Sequence, residues 1–379
     1  MLLAYIVYLS LMTTLVITWR LACPAGHPVQ HSSAVSFRVV VAMAVSVLLY
    51  GLILGLRYNV GLDYPAYVDI YSVIKEGVRA SDVGYEWGFY WLIRALRAYR
   101  LPPASLFLAT CTLQMLFMVS WLRRYTVIAS WYVYFFFTSL LVFESMNTIR
   151  QALAYAILLS AMPALLERRF LRYVLLVCGA SLIHNSALLF LPLYFLLDRD
   201  WISNRLLQMA MLLLAYAAAY KTGEQLIGLL PLLALASNYG NYAAVQGALF
   251  YDKSFAGFSP GMLFILLTDL FIIYSAPMLK RLFGGWGFRI YYNLYLIGAL
   301  LSPFALYTNY IPFGRLAFYF TAFRPVVLAF VLVGCLRTDE GRRGLVMRLL
   351  AMALASAYFL WFLRAIWNKA AWCAPFQFV

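Results

Sequence analysis

Charge is scarce in this chain. Asp and Glu total 14 and Lys and Arg 29 in 379 residues, so 11% of positions are charged while 65% are hydrophobic. A mean hydropathy of +0.83 excludes an ordinary water-soluble chain of this length. Histidine is scarcer still, with three in all, which excludes a His-rich metal centre. The five cysteines, Cys23, Cys111, Cys178, Cys335 and Cys373, are odd in number and show no CxxC spacing, so neither a disulfide framework nor a zinc site is indicated. There is no GxSxG, P-loop, Rossmann glycine pattern or HExxH. The net charge of +15 comes from basic residues dispersed among apolar runs. That distribution argues against nucleic acid and leaves cytoplasmic-loop bias, anionic lipid or an anionic substrate.

What the chain has in quantity is apolar sequence. Runs at about 1–19, 37–56, 104–122, 127–143, 151–166, 206–220, 261–279, 290–308, 316–336 and 346–363 are of span length or close to it, since a bilayer crossing needs about 20 apolar residues. They predict an all-α polytopic membrane protein of about 10–12 transmembrane helices. The first run has no positive n-region before it and is expected to be a span rather than a cleavable signal. Residues 85–100 differ: Arg94, Arg97 and Arg100 recur against Phe89, Leu92, Ile93 and Leu96, the pattern of an amphipathic helix lying in the interface.

Orientation follows from the basic clusters. Arg20 to Arg38, Arg123-Arg124, Glu167-Arg168-Arg169 with Arg172, Arg199 to Arg205, Lys280-Arg281 with Arg289, and Arg337 to Arg348 fit one side, the cytoplasm, if both chain ends are outside. This topology requires 171–197 to leave the cytoplasm and return to it. Its polar centre, His184-Asn185-Ser186, then marks a broken or re-entrant pair of half-helices; the alternative is one span of 27 residues with an extra crossing at 226–236. The outer side collects residues 57–84, Glu144 to Arg150, His184, the longer loop 221–260, Asn309 to Arg315 and the tail from Arg364. The whole of 1–379 reads as a single membrane domain, with 57–100 an outer loop plus interfacial helix.

Ionisable residues at a membrane edge are costly and point to function. Arg57, Arg150 and Arg315 sit at predicted outer span ends, where a planar five-donor fork suits phosphate oxygens; headgroup snorkelling or pairing with Asp63 and Glu144 is the competing reading. In the hinge around Glu144, Ser145 or Asn147 would cap the next helix and aim its amides at an anion beside Arg150. His184 is a candidate base for a hydroxyl proton and equally a structural histidine. Asp63 ranks beside it, with Glu144 a further catalytic candidate; Asp69 and Glu86 are weaker alternatives as base. Tyr64, Tyr67, Glu86, Asn147, Tyr239 and Asn241 combine aromatic faces with polar side chains as a sugar groove would, and Tyr239 and Asn241 fit an interface belt as well. The Gly51-xxx-Gly55 pair is a weak signal for helix self-association.

Five segments carry a resemblance: Arg57 to Tyr67, Glu86 to Phe89, Asn147 to Ala154, His184 to Ala187 and Arg315 to Phe320. In this order and spacing they resemble the EpsG-like family of Wzy-type bacterial surface polysaccharide polymerases (O-antigen or exopolysaccharide). The aromatic, proline-containing end Ala374 to Val379 is similar too. Leu62 stands where many members have Thr or Ser.

The resemblance implies a GT-C-like helical fold and a membrane glycosyltransferase. It would join oligosaccharide repeat units carried on undecaprenyl diphosphate, outside the cytoplasmic (inner) membrane, without metal or cofactor. Arginines Arg150 and Arg315 would stabilise the diphosphate leaving group, Arg57 would hold the second lipid's diphosphate or give support, and His184 or Asp63 would deprotonate the acceptor hydroxyl. A chain-length co-polymerase and a flippase are implied as partners. The alternatives are a membrane O-acyltransferase of the polysaccharide and a lipid-linked oligosaccharide flippase; Arg324, mid-span beside Pro325, is not accounted for by any of them.

Overall fold

The computed structural model describes residues 1–23, 36–75, 77–235, 258–308, 311–338 and 341–379. The described residues form helices and one isolated bridge. Among the described residues, eight helices are long and apolar enough to cross a bilayer, and a pair bent by 64° makes a ninth if it is one span. The helices group into two compact units, Met1–Leu196 with Cys335–Val379, and Leu197–Gly334.

The first unit contains α1 (Leu2–Ala22), α2 (Phe37–Gly55), α3 (Tyr64–Val73), α4 (Ala80–Val83), α5 (Trp87–Ala98), α6 (Ala104–Leu122), α7 (Ala129–Thr138), α8 (Leu141–Asn147), α9 (Ile149–Leu166), α10 (Phe170–Ile183) and α11 (Leu193–Leu196). Its centre is α9. Beyond Arg150 and Gln151, the stretch from Ala152 to Leu166 carries no charge, is apolar nearly all round and is rich in small side chains, and such a helix is stable only when surrounded; nearly every residue from Ile149 to Leu165 is buried. Packing of α2 on α6 explains the glycine pair of α2. A Cβ at Gly51 would lie 2.6 Å from Thr112 Oγ1, and one at Gly55 would lie 2.6 Å from the Leu108 Cα. The small-xxx-small signal is therefore used inside the chain, where it lets two backbones approach, rather than for self-association.

Three expected elements resolve further. The run expected as one span over 127–143 is broken at Leu140, which takes φ +69, and α8 leaves at 64° to the preceding helix. The segment after Arg169 is a hairpin of two short helical arms. Helix α10 stops at His184, which is extended, and a 3-10 stretch Asn185–Phe190 leads back, so that Phe170 meets Tyr194 (ring centroids 5.0 Å) and Tyr173 donates to the Phe190 carbonyl at 2.6 Å. This is the re-entrant reading, and the single 27-residue span is set aside. Helix α5 is amphipathic as expected, with Phe89, Tyr90 and Ile93 buried and Trp87 and Trp91 exposed.

Polarity along the unit is visible in its ion pairs. Arg124, just past α6, pairs with Glu167, just past α9, and Glu167 also holds Arg169 at 3.0 Å. Helices α6 and α9 thus end together at a basic face. Their other ends, about 28 Å away at 1.5 Å per residue, lie with the loops described below.

The second unit contains α12 (Arg205–Leu235), α13 (Pro260–Phe283), α14 (Phe288–Thr308), α15 (Ile311–Thr321) and most of α16 (Arg324–Arg337); α17 (Gly341–Trp367) returns to the first. Within the second unit, Asp269 of α13 is fully buried and accepts from Tyr295 of α14 at 2.6 Å and from Arg324 at 3.0 Å. This places the arginine that the sequence left unexplained. Asp269 is the one charged residue in the apolar run 261–279; a lone carboxylate in one span and a lone guanidinium in another are expected to find each other, because each alone in hydrocarbon is expensive.

Candidate active site

Glu86 is the hub of the polar end of the first unit. It stands at the N-terminus of α5, and Gly88 two positions on is what lets that helix meet the tip of the hairpin: a Cβ there would lie 2.7 Å from the Leu182 carbonyl oxygen. Glu86 Oε1 lies 3.0 Å from His184 Nδ1 and accepts from the Asn185 backbone N–H at 3.1 Å. Its Oε2 is 2.5 Å from Arg150 NH1. Burial by itself would raise the Glu86 carboxyl, but the His184 hydrogen bond and the Arg150 charge outweigh it and hold the pKa at about 2. The carboxylate is thus an anion clasped between an imidazole and a guanidinium.

Arg150, in the first turn of α9, is held by more than this carboxylate. Its Cζ lies 4.3 Å from the centroid of the Tyr85 ring and 5.6 Å from that of Phe89, and the Tyr67 hydroxyl is a hydrogen-bond partner. Its Nε is buried and has no hydrogen-bond acceptor among the described residues. An unmet buried donor costs about 1–3 kcal/mol. The guanidinium is therefore anchored by Glu86 and Tyr67 while its Nε retains donor capacity.

Arg57 has a different role. Its side chain is wholly buried, with Nε on the Val60 carbonyl (3.0 Å), NH1 on the Leu54 carbonyl (2.6 Å), NH2 on the Met146 carbonyl (2.7 Å) and the guanidinium stacked over Phe107 at 4.8 Å. Every nitrogen is engaged within the protein, and the side chain ties the loop after α2 to the end of α8. Asn147 is likewise held within the protein. Its Oδ1 accepts from the Leu62 N–H at 2.5 Å, and its Nδ2 donates to the carbonyls of Phe143 and Ala371, each at 3.1 Å. Gly61, at φ +110, sits against this amide, where a Cβ would be 2.9 Å from Oδ1. Tyr64 is buried and stacked on Phe107 at 4.2 Å, which removes that ring face from any sugar, and Tyr67 is buried against Phe89.

The carboxyl-terminal tail completes this frame. Tyr58 N–H bonds to the Gln377 carbonyl at 2.8 Å, Val379 N–H to Leu56 at 2.9 Å, Gly61 N–H to Trp372 at 3.0 Å, and the Tyr8 hydroxyl to Cys373 at 2.9 Å. Segments 57–64, 144–150 and 371–379 thus meet at one end of the unit. Asp63 and Glu144 also lie within electrostatic reach of each other there, Glu144 exposed and Asp63 half-buried.

Residues 40–378 match the model of the EpsG family. The chain belongs to the EpsG family. This is a family of Wzy-like polymerases, and a polysaccharide polymerase-type function in the membrane follows for this member. Among curated proteins and among solved structures, no match is found.

Of the residues singled out in the sequence, the structure of this EpsG-family chain brings Glu86, Arg150, His184 and Tyr67 together, and Asp63 with Glu144. Arg315 lies on α15 in the second unit, half-buried, and its assignment rests on sequence. Tyr239 and Asn241 lie outside the described residues. Sequence reasoning missed the pairing of Glu86 with both Arg150 and His184. The available signal was Gly88, a small residue two positions after a carboxylate at the start of an amphipathic helix.

Proposed function

We propose that this EpsG-family protein polymerises lipid-diphosphate-linked oligosaccharide units, with Arg150 on the diphosphate of the donor and His184 as the base for the acceptor hydroxyl. The observation that carries the proposal is the joining of Arg150 and His184 through one carboxylate, in a segment of the chain that the family match covers. Glycosyl transfer from a lipid diphosphate needs a cation where negative charge develops and a base where a proton departs. These two groups supply both, and arginine provides the charge a divalent ion would otherwise bring. Arg57, Asn147, Tyr64 and Tyr67 serve as framework; Asp63 is the second candidate base, and Glu144 lies beside it.

The active end faces away from the cytoplasm in this proposal. Arg123, Arg124, Arg168 and Arg169 lie at the opposite ends of α6 and α9, and basic loops favour the cytoplasmic side. The repeat units therefore meet on the outer side of the cytoplasmic membrane.

The test is a polymerisation assay with purified protein and its lipid-linked repeat unit, together with the polymer profile of a gene-deletion strain carrying each variant. Arg150→Ala is expected to abolish long polymer, and His184→Gln to lower turnover by about 10²–10⁴, with both proteins still in the membrane. Normal chain length in both variants refutes the assignment. Loss of surface display of single units in the deletion strain would mark a flippase, and intact polymer lacking acyl groups an acyltransferase.

A further inference from the structure

A histidine that takes a proton at one ring nitrogen must present that nitrogen unprotonated, and the hydrogen bond made by the other nitrogen decides which tautomer is present. Here Nδ1 faces Glu86 Oε1 at 3.0 Å. The same oxygen accepts from the Asn185 N–H, and the companion oxygen is held by Arg150, so the carboxylate cannot rotate away from the imidazole without breaking three contacts. Its neighbours are Arg150, whose guanidinium sits over Tyr85 and against Tyr67, and the hairpin tip itself. Both carboxylate and imidazole side chains are 9% exposed.

Resting on the polymerase reading, we propose that Glu86 is a positioning residue: it accepts a hydrogen bond from His184 Nδ1–H, leaving Nε2 the basic nitrogen, and its second oxygen sets the spacing between that base and Arg150. Glu86 touches no substrate in this scheme and is removed from the set of sugar contacts. As the acceptor oxygen bonds to the anomeric carbon, the bond from that carbon to the diphosphate oxygen breaks and its electron pair goes to the diphosphate. The hydroxyl proton passes to Nε2. The imidazolium so formed lies against a carboxylate that stays ionised, consistent with its strongly lowered pKa of about 2. The Glu86–Arg150 pair limits how far the cation moves from the base while the diphosphate gains charge.

The chain has His27 and His31 besides His184, so a His27→Gln/His31→Gln background purified without a histidine tag leaves a single imidazole. Nitrogen-15 NMR of that protein reads the tautomer directly. We expect Nδ1–H in the parent, Nε2–H in Glu86→Met, which has the length of Glu but no acceptor, and Nδ1–H again in Glu86→Gln, whose amide oxygen still accepts. Turnover is expected to fall about ten- to a hundredfold in Glu86→Met, by analogy with the carboxylates that orient metal-bound histidines, and by less in Glu86→Gln. An Nε2–H tautomer in the parent overturns the orientation, whatever the activity. An Nδ1–H parent with undiminished turnover in Glu86→Met overturns its use in catalysis. Failure of the polymerase reading is seen separately, as absence of polymer from the parent protein supplied with lipid-linked units.

Discussion

Replacing Arg57 by Ala separates a framework arginine from a ligand-binding one. The substitution leaves the carbonyls of Leu54, Val60 and Met146 without their donor in a place with no solvent access. Hydrogen bonds to a charged donor contribute about 1.5–3 kcal/mol each. Three of them suggest a gross loss of about 4–9 kcal/mol. Relief of the cost of keeping a guanidinium buried offsets part of this, so a net loss of about 4 kcal/mol is expected, near the low end. For a chain of this length that corresponds to a fall of roughly 5 °C in apparent Tm. The loop after α2 is also the platform for the tail, through Tyr58 on Gln377 and Val379 on Leu56, so the tail should become accessible to protease in the same variant. The measurement is tryptophan-fluorescence unfolding of detergent-solubilised protein, with limited proteolysis of the carboxyl terminus. Unchanged unfolding and proteolysis, combined with a raised KM for the lipid-linked unit, would refute the framework role and return Arg57 to the diphosphate.

Three further outcomes follow from the same geometry. Gly88→Val places carbons against the Leu182 carbonyl and should drive α5 from the hairpin tip, costing about 1–3 kcal/mol and lowering polymerisation although no reacting group is changed; full activity would show that the approach of these helices is not needed. Asp269→Ala leaves the largely buried Arg324 without this carboxylate and should destabilise by about 3–5 kcal/mol, whereas Asp269→Leu with Arg324→Met together should recover most of it, as read by thermal unfolding of the two variants. Glu86 has a folded pKa of about 2, below the usual carboxylate range. Its contribution to stability, roughly 3 kcal/mol on that shift, is therefore complete above about pH 5 and lost as pH falls toward 2; Glu86→Gln should flatten the unfolding profile across that window, and an unaltered profile would contradict the ionised state.

How much of this site was legible in the sequence depends on the residue. Arg150, His184 and Glu86 were each visible as polar groups at the margins of apolar runs, because in a chain so poor in charge such residues stand out. Their mutual contact was not visible. It depends on a hairpin that turns at His184 and on a glycine that lets α5 approach it, neither of which periodicity alone specifies. Arg57 shows the opposite case: its position at a span end was read as ligand-facing, and only packing against Phe107 and three carbonyls reveals it as internal.

Composition, run length and local period by themselves determined a polytopic helical protein, most of its spans and the amphipathic helix over 85–100, while the resemblance to the family lay in five short segments in order. These depend on hydrophobicity and local period, which are properties of contiguous residues. Tertiary structure alone decided which charges pair. Glu86 reaches Arg150 across 64 positions and His184 across 98, Asp269 reaches Arg324 across 55, and the tail returns over more than 300 to clasp the loop at Arg57. A side chain's partner at such separation is set by how helices cross and where small residues let them approach, and in an apolar chain that choice decides whether a charge serves as framework or remains for chemistry.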